Sequence, residues 1–178
     1  QVGGQDELVF DGLSFALDAS GALAAQGKAF ESDLLVVELQ AGADGRVDFV
    51  RQAIPESPPP EAQVYAALVL GVRDYIGKNG FPGAIVGLSG GVDSALVLAI
   101  AVDALGADKV RAVMMPSPYT AEISWLDARD MAERLGVRYD ELPIGACFDA
   151  FRATLAGEFR GLPEDTTEEN LQARIRGM

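Results

Sequence analysis

The sequence contains no histidine and a single cysteine, Cys147. The lack of histidine excludes Ser-His-Asp catalysis, imidazole proton transfer and zinc sites that use histidine. One cysteine cannot form a disulfide within the chain, and its apolar neighbours in residues 144–151 predict a small core residue rather than a nucleophile. Any catalysis must therefore depend on carboxylates, hydroxyl groups, amides, cations and a metal ion.

Basic residues are also scarce, since 14 lysines and arginines stand against 27 aspartates and glutamates, for a formal net charge of −13. Nucleic acid is disfavoured as a partner because phosphate backbones are bound by clustered lysine and arginine. The chain has no uncharged apolar stretch of about 18 residues, so we expect no membrane span. Without a secretory signal, a cytoplasmic protein with small-molecule partners is the expectation.

The most informative stretch covers residues 84–100. An apolar run typical of a buried strand breaks at Ser89-Gly90-Gly91, and an apolar run of helical length follows Asp93-Ser94. Glycines allow close backbone approach, and a helix N-terminus offers unpaired N–H groups to an anion. This order of strand, turn and helix predicts a phosphate-binding loop, although it lacks the lysine of a Walker loop and the Gly-x-Gly-x-x-Gly spacing of dinucleotide-binding folds.

Each polar group of the loop has a candidate role. Ser89 and Ser94 can donate hydroxyl hydrogen bonds to phosphate oxygens, as can the amides of Gly90 and Gly91. The carboxylate of Asp93 would repel a phosphate, so its expected role is to bind Mg²⁺ that bridges it to the phosphates. The alternative is a glycine-rich turn in which Asp93 and Ser94 only start the helix.

The stretch Ser89-Gly90-Gly91-Val92-Asp93-Ser94 is a Ser-Gly-Gly-x-Asp-Ser pattern. It resembles the pyrophosphate loop of the ATP pyrophosphatase superfamily, whose members cleave ATP between the α- and β-phosphates. The resemblance implies that ATP adenylates a substrate, that Asp93 is the Mg²⁺ ligand, and that ATP is bound by Gly87, Leu88, Ser89, Gly90, Gly91, Val92, Asp93 and Ser94.

The pattern that surrounds the loop predicts the fold class. Strands near Ile85, at residues 110–114 and at residues 137–142 alternate with helices at residues 94–105 and about 123–135. This alternation predicts an α/β fold with a doubly wound parallel sheet and helices on both faces, and the resemblance implies the adenine nucleotide alpha hydrolase type. Because ligands bind at the carboxyl ends of such strands, we expect Met115 and Ser117 of the second loop to line an adenine pocket. An ordinary strand-to-helix loop is the alternative there.

The first part of the chain has a different pattern. Strand-like alternation covers residues 7–17, a second strand is predicted at residues 34–39, and a proline-rich linker at residues 55–62 precedes a helix at residues 63–78. Residues 1–12 resemble the late portion of the nitrilase-like glutaminase domain of glutamine-dependent NAD synthetases. The resemblance implies that residues 1–54 are the end of that domain and that its Glu-Lys-Cys triad lies before Gln1, so no catalytic residue is assigned here.

The last segment predicts a helix. Thr166 and Glu169 have the spacing of a capping box, and Leu171, Ile175 and Met178 form an apolar stripe. Residues 169–177 resemble the NAD synthetase helix that binds deamido-NAD near a dimer interface. This resemblance implies that Asn170 and Arg174 bind deamido-NAD in a homo-oligomer, with Arg176 as a secondary candidate, and the alternative is a solvated polar face.

Together these motifs, with residues 114–124, resemble the NAD synthetase family, with residues 63–178 as the first part of its synthetase domain. The resemblance implies ATP-dependent amidation of deamido-NAD to NAD by ammonia from glutamine, with release of AMP and pyrophosphate. It also implies that further ATP, Mg²⁺ and deamido-NAD ligands follow Met178, so this chain alone is expected to form an incomplete site. Two alternatives stay open: another amide-forming or thiolating ATP pyrophosphatase, and a nucleotide-binding module without catalytic activity.

Overall fold

The computed structural model describes residues 1–161, 163 and 165–178. The chain divides into two compact units, Gln1–Phe81 and Pro82–Met178. This division falls after the helix that follows the proline-rich segment, whereas the sequence predicts a domain boundary within that segment, at residues 55–62. Compactness does not test a domain boundary of that kind, so the boundary stays a prediction. No helix among the described residues is long and apolar enough to cross a membrane.

The first unit contains antiparallel hairpins. Strand β1 (Val2–Gln5) pairs with β2 (Leu8–Asp11), β3 (Phe15–Leu17) with β4 (Leu23–Gln26), and β5 (Leu39–Ala41) with β6 (Val47–Phe49). The strand predicted at residues 7–17 is interrupted at Gly12, whose φ of +84° ends the extended run.

The strand predicted at residues 34–39 is wrong except for its last residue, Leu39. Among the described residues, the backbone of positions 34–38 pairs with no strand. It instead accepts single hydrogen bonds, from the Val50 N–H to the Glu38 oxygen at 2.9 Å and from the Gln52 side chain to the Val36 oxygen at 2.7 Å. An apolar run is therefore present here without the backbone pairing of a strand.

Helix α1 (Pro60–Lys78) starts three residues before the predicted position, because proline is tolerated in a first helical turn. The helix packs on the β1–β2 hairpin through two glycines, since a Cβ on Gly4 would lie 3.1 Å from the Cα of Gly71. The Gly4 N–H donates to the Asp74 carboxylate at 2.7 Å, and the Lys78 ammonium donates to the Gly4 oxygen. These contacts fix the hairpin on the helix.

The second unit is built on a parallel sheet with the strand order β7 (Ala84–Gly87), β8 (Val110–Met114) and β9 (Arg138–Glu141). Helix α2 (Val92–Leu105) connects β7 to β8, and α3 (Glu122–Leu135) connects β8 to β9. Alternate strand residues pack with both helices in one core of Val86, Leu88, Leu98, Ala101, Val110, Ala112, Met114, Ala128, Ala132 and Val137. The predicted α/β class with a parallel sheet is confirmed.

The sequence does not predict α4 (Gly145–Leu155), which follows β9. This helix buries Phe148 completely, in a small cluster with Ile144 and Ile175. Cys147 is exposed, so its prediction as a core residue is wrong. Successive helical residues point about 100° apart, and the position that places Phe148 in the cluster turns Cys147 towards solvent.

The capping box of helix α5 (Thr166–Arg176) begins one residue before the predicted one. Its N-cap is Asp165, whose carboxylate accepts the Thr167 N–H at 2.7 Å, while Glu168 accepts the Asp165 N–H at 2.8 Å. The predicted pair of Thr166 with Glu169 is therefore wrong, because the stronger Asp165 acceptor takes the cap position.

The predicted apolar stripe of α5 holds over the helix itself and fails beyond it. Ile175 is buried and Leu171 packs at the edge of the same cluster. Met178 follows the end of the helix and is 84% exposed, so its prediction as part of the stripe is wrong.

Candidate nucleotide-binding site

The loop at the carboxyl end of β7 is closed by its two serines. The Ser94 hydroxyl accepts the Ser89 N–H at 3.1 Å and donates to the Gly91 carbonyl at 2.9 Å. That bond uses the only proton of Ser94, so Ser89 must donate the 3.0 Å bond between the two hydroxyl oxygens. Both hydroxyl protons thus lie inside the loop, and the donors left for a ligand are backbone N–H groups.

The start of α2 provides such donors. Gly91 is the N-cap and no side chain caps the helix, so the N–H groups of the first turn have no acceptor within the helix. The helix dipole adds positive potential at the same place. Asp93 stands in this first turn and is exposed. A phosphate bound here would be close to a carboxylate, which favours a cation between them.

The protein groups beside this loop suit a metal ion that is bound mainly by the phosphates of a nucleotide. Within residues 1–161, 163 and 165–178, no three acidic, cysteine or histidine side chains are grouped to hold a metal ion. Mg²⁺ in nucleotide sites commonly takes one or two carboxylates, with phosphate oxygens and water completing its octahedron. A single exposed Asp93 beside a phosphate-binding loop fits that chemistry.

Gly90 brings this loop against α3. Its φ is +83°, which disfavours a residue with a side chain. A Cβ on Gly90 would also lie 2.7 Å from the Cα of Ser124, in the first turn of α3. Ser124 was not predicted as a site residue, and the only sequence signal for such a contact is the glycine itself.

The loop that follows β8 is shaped by Ser117, which is buried. The Ser117 N–H donates to the Thr120 hydroxyl at 2.9 Å, and the Tyr119 N–H donates to the Ser117 hydroxyl at 3.3 Å. Met115 precedes this turn, and its methyl carbon would lie 3.4 Å from a Cβ on Gly87. The side chain of Met115 therefore reaches across to the end of β7.

A cavity of about 440 Å³ joins the two loops. Five of the residues predicted for nucleotide binding line it: Gly87, Leu88, Ser89, Met115 and Ser117. Residues 90–94 follow Ser89 directly but do not line this cavity. Its volume is in the range of small-molecule sites, so the second unit contains a site of nucleotide size at the carboxyl ends of its strands.

Helix α5 contributes to the cavity with residues other than the predicted pair of Asn170 and Arg174. Asn170 and Arg174 are exposed and do not line it, whereas Gln172 and Arg176 do. Gln172 is 7% exposed, and Arg176 lies one helical turn further on the same face. The sequence signal for this face is a glutamine next to the apolar stripe, at a position that the helical period turns inwards.

The parallel sheet, with a Ser-Gly-Gly-Val-Asp-Ser loop after its first strand and a cavity at that rim, defines an α/β nucleotide-binding domain of the ATP pyrophosphatase type. A family model described as NAD synthase matches residues 64–178. The chain belongs to the NAD synthase family.

Similar proteins extend over nearly the whole chain. The glutamine-dependent NAD(+) synthetase of Acinetobacter baylyi is 46% identical over 182 residues, which cover 99% of this chain and 32% of the relative. The structure of the glutamine-dependent NAD+ synthetase from Acinetobacter baumannii in complex with ADP matches with a TM-score of 0.91 and 48% identity, over 99% of this chain and 33% of that one. NMN synthetase from Francisella tularensis matches with a TM-score of 0.58 and 27% identity, over 67% of this chain and 48% of that one. The chain thus spans about a third of the length of the glutamine-dependent relatives.

Proposed function

We propose that this chain supplies the ATP-binding part of an enzyme that amidates deamido-NAD to NAD, with ammonia that comes from glutamine. The observation that carries the proposal is the single cavity on which the β7 loop, the β8 loop and α5 all lie. The ADP complex of a relative with a TM-score of 0.91 supports a nucleotide as the ligand.

In the proposed complex, the β- and γ-phosphates bind the N–H groups of the β7 loop and of the first turn of α2. Gly90 and Gly91 let the backbone approach the phosphates. Ser89 adds a hydroxyl donor once a phosphate oxygen replaces Ser94 as its acceptor, and Ser94 adds one once a phosphate oxygen replaces the Gly91 carbonyl. Asp93 is the proposed Mg²⁺ ligand. Bound Mg²⁺ would neutralise charge on the pyrophosphate that leaves.

The adenine is assigned to the wall formed by Met115. The Met115 carbonyl already accepts a hydrogen bond from Arg176 at 3.1 Å, and the Ser117 hydroxyl accepts the Tyr119 N–H. These polar groups are therefore used to shape the loop. The thioether of Met115 is left to pack on the base, and Ser117 acts by holding the loop that presents it.

The proposed reaction has two steps. A carboxylate oxygen on the nicotinate ring attacks the α-phosphorus of ATP, and the bond to the α,β-bridging oxygen breaks. Pyrophosphate departs, and the acyl adenylate is formed. Ammonia then attacks the acyl carbon, AMP leaves with the electron pair of the C–O bond, and loss of a proton gives the amide. The fixed N–H donors at the start of α2 stabilise charge on the departing pyrophosphate, which requires no histidine.

Asn170 and Arg174, four residues apart and exposed on α5, are the proposed contacts for deamido-NAD. No residue of this chain is assigned to glutamine hydrolysis. The cytoplasmic location and the homo-oligomeric state stay predictions.

The test uses a chimera in which this chain replaces the aligned segment of the Acinetobacter baylyi relative. We expect the chimera to form NAD from deamido-NAD, ATP and ammonia, and Asp93→Asn to lower the rate by roughly 100-fold. Glu122→Gln is the matched control, because Glu122 is also an exposed acid in the first turn of a helix, and we expect it to keep the parent rate.

Two results would contradict the proposal. A chimera that amidates another carboxylate, such as that of aspartate, but not deamido-NAD would indicate a different ligase of the same fold. A chimera that binds ATP without turnover of any carboxylate would indicate a nucleotide-binding module.

A further inference from the structure

Arg176 reaches from α5 to the loop that follows β8. Its Nε donates a hydrogen bond to the Met115 carbonyl oxygen at 3.1 Å, across 61 positions of sequence. The bond fixes one edge of the guanidinium and leaves the two terminal amino groups for another ligand. Because Arg176 also lines the 440 Å³ cavity, the fixed guanidinium stands at the wall of the proposed nucleotide site.

The guanidinium of Arg176 has no acidic partner among the described residues, in contrast to Arg111 and Arg134. Arg111 lies 2.6 Å from Asp140, and Arg134 lies 2.6 Å from Asp130. No carboxylate within residues 1–161, 163 and 165–178 is within ion-pair distance of Arg176. The guanidinium of Arg176 at the cavity wall is therefore not neutralised by a carboxylate of the described residues, and its planar donors match the oxygens of a phosphate.

We propose that Arg176 is an ATP-binding residue whose terminal amino groups bind the triphosphate, with Met115 as the acceptor that positions it. The inference rests on the proposed function, because it takes ATP as the occupant of the cavity. It gives α5 two separate tasks. Asn170 and Arg174 are exposed away from this cavity and are left for the second substrate, while Arg176 serves the nucleotide.

The experiment compares ATP with adenosine, which lacks phosphates, by titration calorimetry on the parent protein and two variants. Arg176→Gln removes the charge but keeps an N–H donor, and we expect ATP affinity to fall roughly 10-fold while adenosine affinity stays at the parent value. Arg176→Lys keeps the charge but lacks Nε, so we expect a smaller loss of ATP affinity than in Arg176→Gln. Arg134→Gln, which removes an arginine on the surface of α3, is the matched control and should keep both affinities.

Equal losses of ATP affinity and adenosine affinity in Arg176→Gln would overturn the proposal. They would mean that Arg176 only holds the loop after β8 in place. Unchanged ATP affinity in both variants would overturn it as well. If Arg176→Gln unfolds, as judged by its thermal transition, the comparison of ATP with adenosine in Arg176→Lys decides. A protein that binds ATP with this dependence on Arg176 but amidates no dinucleotide would refute the proposed function and support this inference.

Discussion

Gly90 lies against the backbone of Ser124, so closely that a Cβ on Gly90 would be 2.7 Å from the Ser124 Cα. The contact joins the loop after β7 to the first turn of α3. Gly90 also has a positive φ of +83°, so two independent constraints exclude a side chain at this position. The shape of the loop therefore depends on this pair of residues.

We expect Gly90→Ala to abolish measurable ATP binding, because the loop must move away from Ser124 to admit the methyl group. Gly136→Ala is the matched control: Gly136 also has a positive φ, of +66°, but a Cβ there meets open space. That control should lose about 1 kcal/mol of stability and keep its ATP affinity. Calorimetry with ATP and thermal unfolding measure both effects. Equal ATP affinities in the two variants would show that the Ser124 contact does not shape the site.

The variant Met115→Ala distinguishes binding of the adenine base from binding of the phosphates. If the Met115 side chain packs on adenine, its loss should weaken adenosine and ATP by the same factor, roughly 10-fold, and leave inorganic triphosphate unaffected. Met178→Ala is the control, since Met178 is 84% exposed. Competition titrations with the three ligands check this prediction. A loss confined to triphosphate would place Met115 beside the phosphates instead.

Asp74 should make stability depend on pH. The hydrogen bond from the Gly4 N–H, opposed by partial burial and helped by the Lys78 ammonium, holds the pKa of Asp74 below its usual range. A carboxyl whose pKa is lower in the folded state stabilises the fold above its unfolded pKa, and this contribution is lost as pH falls through the folded value. We expect Asp74→Asn to lower Tm near neutral pH, and the difference from the parent to shrink below about pH 4.

Thermal unfolding of the parent and Asp74→Asn across this pH range makes that measurement. Asp127→Asn, an exposed position on α3, is the control and should follow the parent at every pH. A Tm difference that is the same in acid and at neutral pH would mean that the ionisation of Asp74 is not the cause.

Local patterns in the sequence predict the elements that contain their own signals. The strand Val110–Met114 is apolar except for Arg111, and the loop from Ser89 to Ser94 lies between a strand pattern and a helix pattern, so both follow from neighbours in sequence. No helix is predicted from the sequence at α4, where Phe148 is the one buried residue among those described. Without an assigned helix, the sequence does not indicate whether Cys147 faces the core or the solvent.

Part of the cavity wall could not be predicted from local sequence patterns, because its residues meet through contacts between distant parts of the chain. Arg176 meets Met115 only because α5 packs near the carboxyl end of β8, and Ser124 meets Gly90 only because α3 starts beside the β7 loop. The resemblance implies that Asn170 and Arg174 on an exposed face of α5 bind the substrate, whereas residues of the neighbouring face line the cavity. Tertiary packing thus selects which face of a correctly predicted helix serves the site.

The most direct test of the account is the exchange of labelled pyrophosphate into ATP, measured on the chimera with the Acinetobacter baylyi relative. Reversible adenylation at the β7 loop predicts exchange that requires deamido-NAD and disappears in the Gly90→Ala variant of the chimera. Release of ADP and phosphate in place of AMP and pyrophosphate, or exchange that persists without Gly90, would contradict the assignment of this loop to the departing pyrophosphate.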